Sequence, residues 1–284
     1  MRSDIKNGLL FCAPWIVGFL VFTAYPIIQT LIFSFGNVSV RYGSIESTPV
    51  GWNNYYYALF TDSSFLQAVG DYAVKTALYV PVITVVSLIL AMLLNSKLKG
   101  TGIFRTIFFL PVIITSGPVM QIFINQGVAS FPGIDKLIDF TQLQGTVPQF
   151  LLDALSFLTS EFIMILWFSG IQILVFMTGL QKLDKSMYEA ASIDGASKWE
   201  KFWKITLPAL NPTIVINVVF TVVMQSIFSL NPVIIKIQND MNGTGDGAGY
   251  GYASAMAWLY FIVMVAMLGA FVLLVYKRNR RVAR

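Results

Sequence analysis

The sequence predicts an all-α membrane protein with six transmembrane helices and both termini on one side. Three observations carry that expectation. The chain is 56% hydrophobic and only 12% charged over 284 residues, with a mean hydropathy of +0.70, which leaves too little charge to cover a soluble surface of that size. Its apolar residues gather into runs of about 20, the length of helix that spans a bilayer core. Its basic residues fall in alternate connecting segments.

The runs define the elements in turn. They lie at residues 9–35, 72–95, 104–125, 162–180, 209–230 and 252–276. Inside a bilayer the backbone of each run can bond only within its own helix, so a six-helix bundle follows. None of the runs shows the apolar/polar alternation of a barrel strand. Arg2 and Lys6 precede the first run as they would in a secretion signal. No small-x-small cleavage site follows, so the run reads as an uncleaved first helix. Cys12, the single cysteine, reads as a packed, inert thiol. Between the spans, residues 36–71 and 126–161 read as long polar loops, the second with a short helix near 132–140. Asn242 to Gly247 reads as a turn region.

Charge sets the orientation. Arg2, Lys6, Lys97, Lys99, Arg105, the lysines of the fourth connection and the tail from Lys277 to Arg284 lie on one side, against Arg41, Lys136 and Lys236 on the other. The excess of Lys and Arg places both termini in the cytoplasm. The net charge of +5 is then a topological signal, and the basic tail suits anionic lipid headgroups. Nucleic acid is excluded as a partner, because no basic face lies clear of the membrane.

Several chemistries are missing. The chain has no histidine, which removes His-based catalysis and His–metal sites. It has no Gly-x-x-x-x-Gly-Lys-Ser/Thr loop for ATP. Its mid-membrane polar residues, Gln121, Gln172, Asn217, Thr221, Gln225 and Asn231, are neutral, whereas ion-coupled carriers place ionisable groups there. Energy for uphill transport would therefore come from outside the spans, and no catalytic or metal site is expected.

The connection between the fourth and fifth spans, residues 181–208, is charged and amphipathic. Asp184 can cap a short helix carrying Met187, Tyr188, Ala190 and Ala191. Gly195 suits the left-handed position beyond its end. Ser197-Lys198-Trp199-Glu200 has capping-box spacing and opens a second helix. On that helix Trp199, Phe202 and Trp203 stand among Lys198, Lys201 and Lys204, and Pro208 allows a bend into the next span. Physics alone leaves two readings open: a docking surface for another protein, or an interfacial helix on lipid headgroups.

These residues resemble the EAA loop of permease subunits in type I ABC importers. The pattern is carried by Glu189-Ala190-Ala191, Asp194-Gly195-Ala196, Phe202 and Ile205-Thr206-Leu207-Pro208. Asn54-Tyr55 with Phe60, Asp62 and Phe65, then Gly102 to Pro111, then Gly249 to Ala255 are similar to the carbohydrate-uptake branch, the maltose and glycerol-phosphate type. Asp71-Tyr72 departs from it where Asn-Thr is expected.

The resemblance implies a single permease domain over 1–284 in a bacterial-type cell membrane. It implies that Glu189, Ala190, Ala191, Asp194, Gly195 and Ala196 contact a cytoplasmic ATPase, which holds the ATP and Mg. This chain holds no cofactor of its own. A second, non-identical permease, an extracellular solute-binding protein, membrane lipid and a sugar are the other implied partners. Trp167 and Ile171 on the fourth span, and Thr221 and Gln225 on the fifth, share faces at four-residue spacing and are candidate solute contacts. The competing reading gives them interhelical packing and hydrogen bonds. The competing function is a self-sufficient passive pore or carrier.

Overall fold

In the computed structural model, residues 2–41, 44–95, 102, 148–152, 161–243 and 249–282 are described. The expected third span and the helix near 132–140 lie outside them, as does most of the glycine-rich turn after Asn242. Among the described residues four helices are long and apolar enough to cross a membrane: Phe11–Phe33, Ser63–Asn95, Met164–Gln181 and Tyr250–Lys277. A bent pair, Lys198–Ala209 and Asn211–Ser226, makes a fifth if it counts as one span.

The elements run α1 (Arg2–Phe19), a π-helical turn (Leu20–Ala24), α2 (Tyr25–Phe33), β1 (Gly36–Arg41), β2 (Ser44–Pro49), α3 (Asn53–Phe60) and α4 (Ser63–Asn95). Then follow α5 (Phe162–Gln181), α6 (Lys185–Ile193), α7 (Lys198–Lys201), a second π-helical turn (Phe202–Thr206), α8 (Leu207–Ala209), α9 (Asn211–Ser226), α10 (Pro232–Met241) and α11 (Tyr250–Val282). The all-α expectation misses one hairpin. β1 and β2 pair antiparallel, with Gly36 opposite Pro49 and Arg41 opposite Ser44. In the sequence of β1, Val38 and Val40 alternate with polar neighbours at a two-residue period, and Val38 is buried.

The described chain divides into two compact units. The first comprises Met1–Tyr72 and Pro232–Val263. Its polar centre is Asp62, which caps α4. One carboxylate oxygen accepts from the backbone N–H of Ser64 at 3.1 Å and of Phe65 at 3.0 Å. The other accepts from the Tyr252 hydroxyl at 2.7 Å and pairs with Lys236 Nζ at 3.1 Å. Lys236 also pairs with Asp240, one helical turn along α10. Burial raises the Asp62 carboxyl, but hydrogen bonds from Ser64, Tyr252, Phe65 and Lys236 outweigh it and hold it well below the usual carboxylate range. This cap explains why α4 begins at Ser63, nine residues before the expected start of the second span. Asn54 ties α3 to the hairpin, donating to the carbonyls of Ser34 and Gly36 at 2.9 and 3.0 Å.

The second unit comprises Ala73–Asn231 and Met264–Arg284. Val80, Leu88, Ala91 and Leu94 of α4 pack with Ile173, Phe176 and Met177 of α5, with Leu210, and with Ile214, Val218 and Val222 of α9. Met264, Leu268, Phe271 and Val275 of α11 lie against this core. Gly179 lets α5 meet α9 closely: a Cβ there would stand 2.7 Å from Thr213 Oγ1. Small residues serve this purpose between membrane helices, where no hydrophobic gain drives association.

Candidate functional site: the loop between α5 and α9

The loop begins with a cap. Asp184 is extended, and its carboxylate accepts from the Ser186 amide at 2.9 Å. That hydrogen bond holds the Asp184 carboxyl below its ordinary value. Helix α6 then ends in a Schellman motif. The Ala196 amide donates to the Ala191 carbonyl at 2.9 Å and the Gly195 amide to the Ser192 carbonyl at 3.2 Å. Gly195 has φ +80°, a conformation a Cβ disfavours by about 1–2 kcal/mol. The corner therefore turns at Gly195, as the sequence predicts.

The next helix opens on a complete capping box. Ser197 Oγ accepts from the Glu200 amide at 3.2 Å, and Glu200 accepts from the Ser197 amide at 2.9 Å. The Ser197 amide and hydroxyl, with Lys204, keep the Glu200 carboxyl below its ordinary value. After one α-helical turn the chain widens into the π-helical turn Phe202–Thr206 and bends by 65° into α9. Side chains cross-brace the two halves. Lys201 Nζ donates to Ser192 Oγ at 2.6 Å, which donates to the Tyr188 carbonyl at 2.7 Å. The hydroxyls of Tyr188 and Thr206 lie 2.8 Å apart.

The resulting surface is open. Glu189, Ala190, Asp194 and Gly195 are exposed, while Ala191 and Ala196 are half-buried at the corner. Ile193 is 87% exposed and Met187 lies exposed on the same helix. Sequence reasoning passed over Ile193, because only the structure shows it bare beside the Asp194-Gly195 corner.

The four candidate solute residues lie on α5 and α9, which pack against each other in the second unit. Trp167 is buried on α5, its indole N–H without a hydrogen-bond partner among the described residues, and Ile171 is half-buried. Thr221 is fully buried and engaged twice, accepting from Gln172 Nε2 at 3.0 Å and donating to the Asn217 carbonyl at 2.7 Å. Gln225 is buried, and its backbone carbonyl accepts from Asn231 Nδ2 at 3.1 Å. The partners that matter, Gln172 and Asn217, were visible in the sequence as neutral mid-span amides. Their side-chain amide oxygens, Gln172 Oε1 and Asn217 Oδ1, have no hydrogen-bond partner among the described residues.

The sequence of residues 55–284 matches the family described as binding-protein-dependent transport system inner membrane component. The chain belongs to that family. It is a multi-pass membrane protein with an importer-permease fold.

Family members of known or assigned role are similar over most of the chain. The probable ABC transporter permease YesP of Bacillus subtilis is 33% identical over 230 residues, 77% of this chain and 70% of that one. The lactose transport system permease LacF of Rhizobium radiobacter is 30% identical over 262 residues, 86% of this chain and 80% of that one. The arabinooligosaccharides transport system permease AraP of Bacillus subtilis is 36% identical over 214 residues, 72% of this chain and 64% of that one. Among solved structures, a bacterial ABC transporter that imports the acidic polysaccharide alginate superposes with a TM-score of 0.68. The match covers 100% of this chain and 99% of that one at 20% identity, and it speaks to the fold.

Proposed function

We propose that this chain is one transmembrane subunit of an ATP-driven importer of a sugar or oligosaccharide. The observation that carries the reading is the capped α6 with its Gly195 corner, exposed between two spans and braced to the π-helical turn Phe202–Thr206 through Tyr188 and Thr206. A helix held that firmly can transmit a push, and one left that bare wants a protein against it. Glu189 offers a charge-assisted hydrogen bond, and Ala190, Ala191, Asp194, Gly195 and Ala196 form the contact with a cytoplasmic ATPase. That partner holds ATP and Mg and performs the hydrolysis, and this subunit is not itself an enzyme.

The remaining parts of the machine follow from the same reading. Six spans put both termini on one side, and the excess of Lys and Arg there makes that side the cytoplasm. A second, non-identical permease completes the path, and an extracellular solute-binding protein delivers the sugar to the opposite face. The lactose and arabinooligosaccharide permeases among its relatives support a carbohydrate cargo. Trp167, Ile171, Thr221 and Gln225 are the proposed solute contacts of this chain, exposed as the subunits rock between two states.

The test is co-purification of the tagged chain, expressed with its neighbouring genes, in mild detergent. Recovery of an ATPase and a second permease, with ATP hydrolysis stimulated by a binding protein, is the expected result. Glu189→Ala should abolish uptake while membrane insertion stays normal. Solute flux through the purified chain alone would replace the reading with that of a passive pore.

A further inference from the structure

Three aromatic side chains at the junction of the loop and α9 are not used by the coupling surface. Trp199, Phe202 and Trp203 form one cluster, with ring centroids 5.5 Å apart for the two indoles and 5.2 Å for Phe202 and Trp203. Phe202 packs against the core of the second unit. Trp199 and Trp203 are 69% and 47% exposed. Two bare indoles side by side are costly in water, and favourable where an apolar body can meet lipid and an N–H can meet headgroups.

Three observations say what covers them. The segment Lys198–Ala209 meets α9 at 65°, so with α9 upright in the bilayer it lies roughly 25° from the membrane plane. Phe202 and Leu207 pack against the same apolar core as Leu210 and Ile214, so the aromatic cluster is tied to the start of α9 through Phe202. Finally, Lys198, Lys201 and Lys204 interleave with these rings along the segment. Lys201 is held by Ser192 and Lys204 by Glu200. The ammonium groups thus turn toward the loop and water, still close enough to anionic headgroups to be attracted.

We propose that the Trp199–Trp203 face docks into the headgroup–acyl boundary of the leaflet on the loop side, as an interfacial anchor that fixes the depth and tilt of the loop. The occupant is lipid. The proposal needs only that α9 spans the bilayer, so it stands or falls apart from the identity of the transported solute or of the ATPase.

The experiment uses the full chain in nanodiscs of phosphatidylcholine and phosphatidylglycerol whose acyl chains are brominated near the glycerol end, with and without the co-purified subunits. Subtracting the emission of the Trp199→Phe/Trp203→Phe variant isolates these two indoles among the six in the chain. The difference emission should fall by about half or more in brominated discs and resist aqueous iodide, as expected for burial at the acyl boundary. Iodide quenching without bromine quenching would overturn the proposal. So would bromine-insensitive emission that shifts to the blue only when the ATPase is added, and that outcome would assign the face to the ATPase.

Discussion

Gln172 Nε2 donates to the Thr221 hydroxyl at 3.0 Å, joining the two helices that lead into and out of the exposed loop. Asn217 Nδ2 reaches the Gln172 backbone carbonyl at 3.4 Å from the same side. Polar pairs of this kind between membrane helices contribute about 0.6–1.7 kcal/mol each. Gln172→Leu is therefore expected to lower stability in detergent by about 1 kcal/mol, and the double variant with Thr221→Val should lose less than the two singles summed. Thermal unfolding of the four forms checks the coupling. Unchanged stability with impaired uptake would give Gln172 a solute contact in place of an interhelical one.

Gly179 makes a second, steric prediction about the same helix pair. A Cβ there meets Thr213 Oγ1 at 2.7 Å and Leu210 Cδ2 at 3.0 Å. Gly179→Val should separate α5 from α9 and destabilise the chain by about 1–3 kcal/mol. Thr213→Ala should restore part of the loss. No rescue in the double variant would mean that the close approach is not what the glycine serves.

At the loop corner the requirement is conformational, because nothing lies within 4 Å of a Cβ built on Gly195. Asn tolerates the left-handed region and valine does not. Gly195→Asn should keep most uptake, whereas Gly195→Val should lose it with membrane insertion normal. Transport assays in vesicles with matched expression separate the two. Equal activity in both would remove the Schellman corner from the coupling argument.

The Asp62 site predicts a pH response. Asp62 sits below its ordinary value of 3.8, so its stabilising effect is complete above that value and fades only as pH falls toward its depressed pKa. Lys236 loses some affinity for its proton through burial, but Asp240 and Asp62 more than restore it and raise it above its ordinary 10.5. Its effect is complete below 10.5 and fades only as pH rises past the raised value. Amide-exchange protection at Ser64 and Phe65, after correction for intrinsic rate, should stay flat from about pH 5 to 9. Asp62→Asn should remove about 1–3 kcal/mol at neutral pH, and a sloping profile in the native chain would contradict the assignment.

Much of this was legible in the sequence where a local rule governs. Asp184, Gly195 and the Ser197/Glu200 box each satisfy backbone groups within a few residues, and each stands where short-range chemistry puts it. The Asp62 cap was just as local, with Ser63-Ser64 beside it, but hydropathy hid it. The run 72–95 is where the apolar signal begins, whereas the helix begins where its first amides find an acceptor. The hairpin was missed because the alternation of Val38 and Val40 is one short period with only Ile45 apolar in its partner strand, too little to stand out by itself. The solute candidates were placed by helical spacing, which tells what shares a face but not what faces it. Gln172 lies one residue beyond Ile171, and that single step decides which side chain meets Thr221.

The hydrogen bond from Tyr252 to Asp62 joins residues 190 positions apart. It makes the order of synthesis matter. When Asp62 leaves the ribosome, neither Lys236 nor Tyr252 exists, so the first unit cannot close until the final span has been threaded into the bilayer. Until then Asp62 can cap α4 through Ser64 and Phe65, while its second oxygen awaits Lys236 and Tyr252. A chain truncated before α11 would keep the Asp62–Lys236 ion pair but lack the Tyr252 hydroxyl, so this site is completed only when α11 arrives.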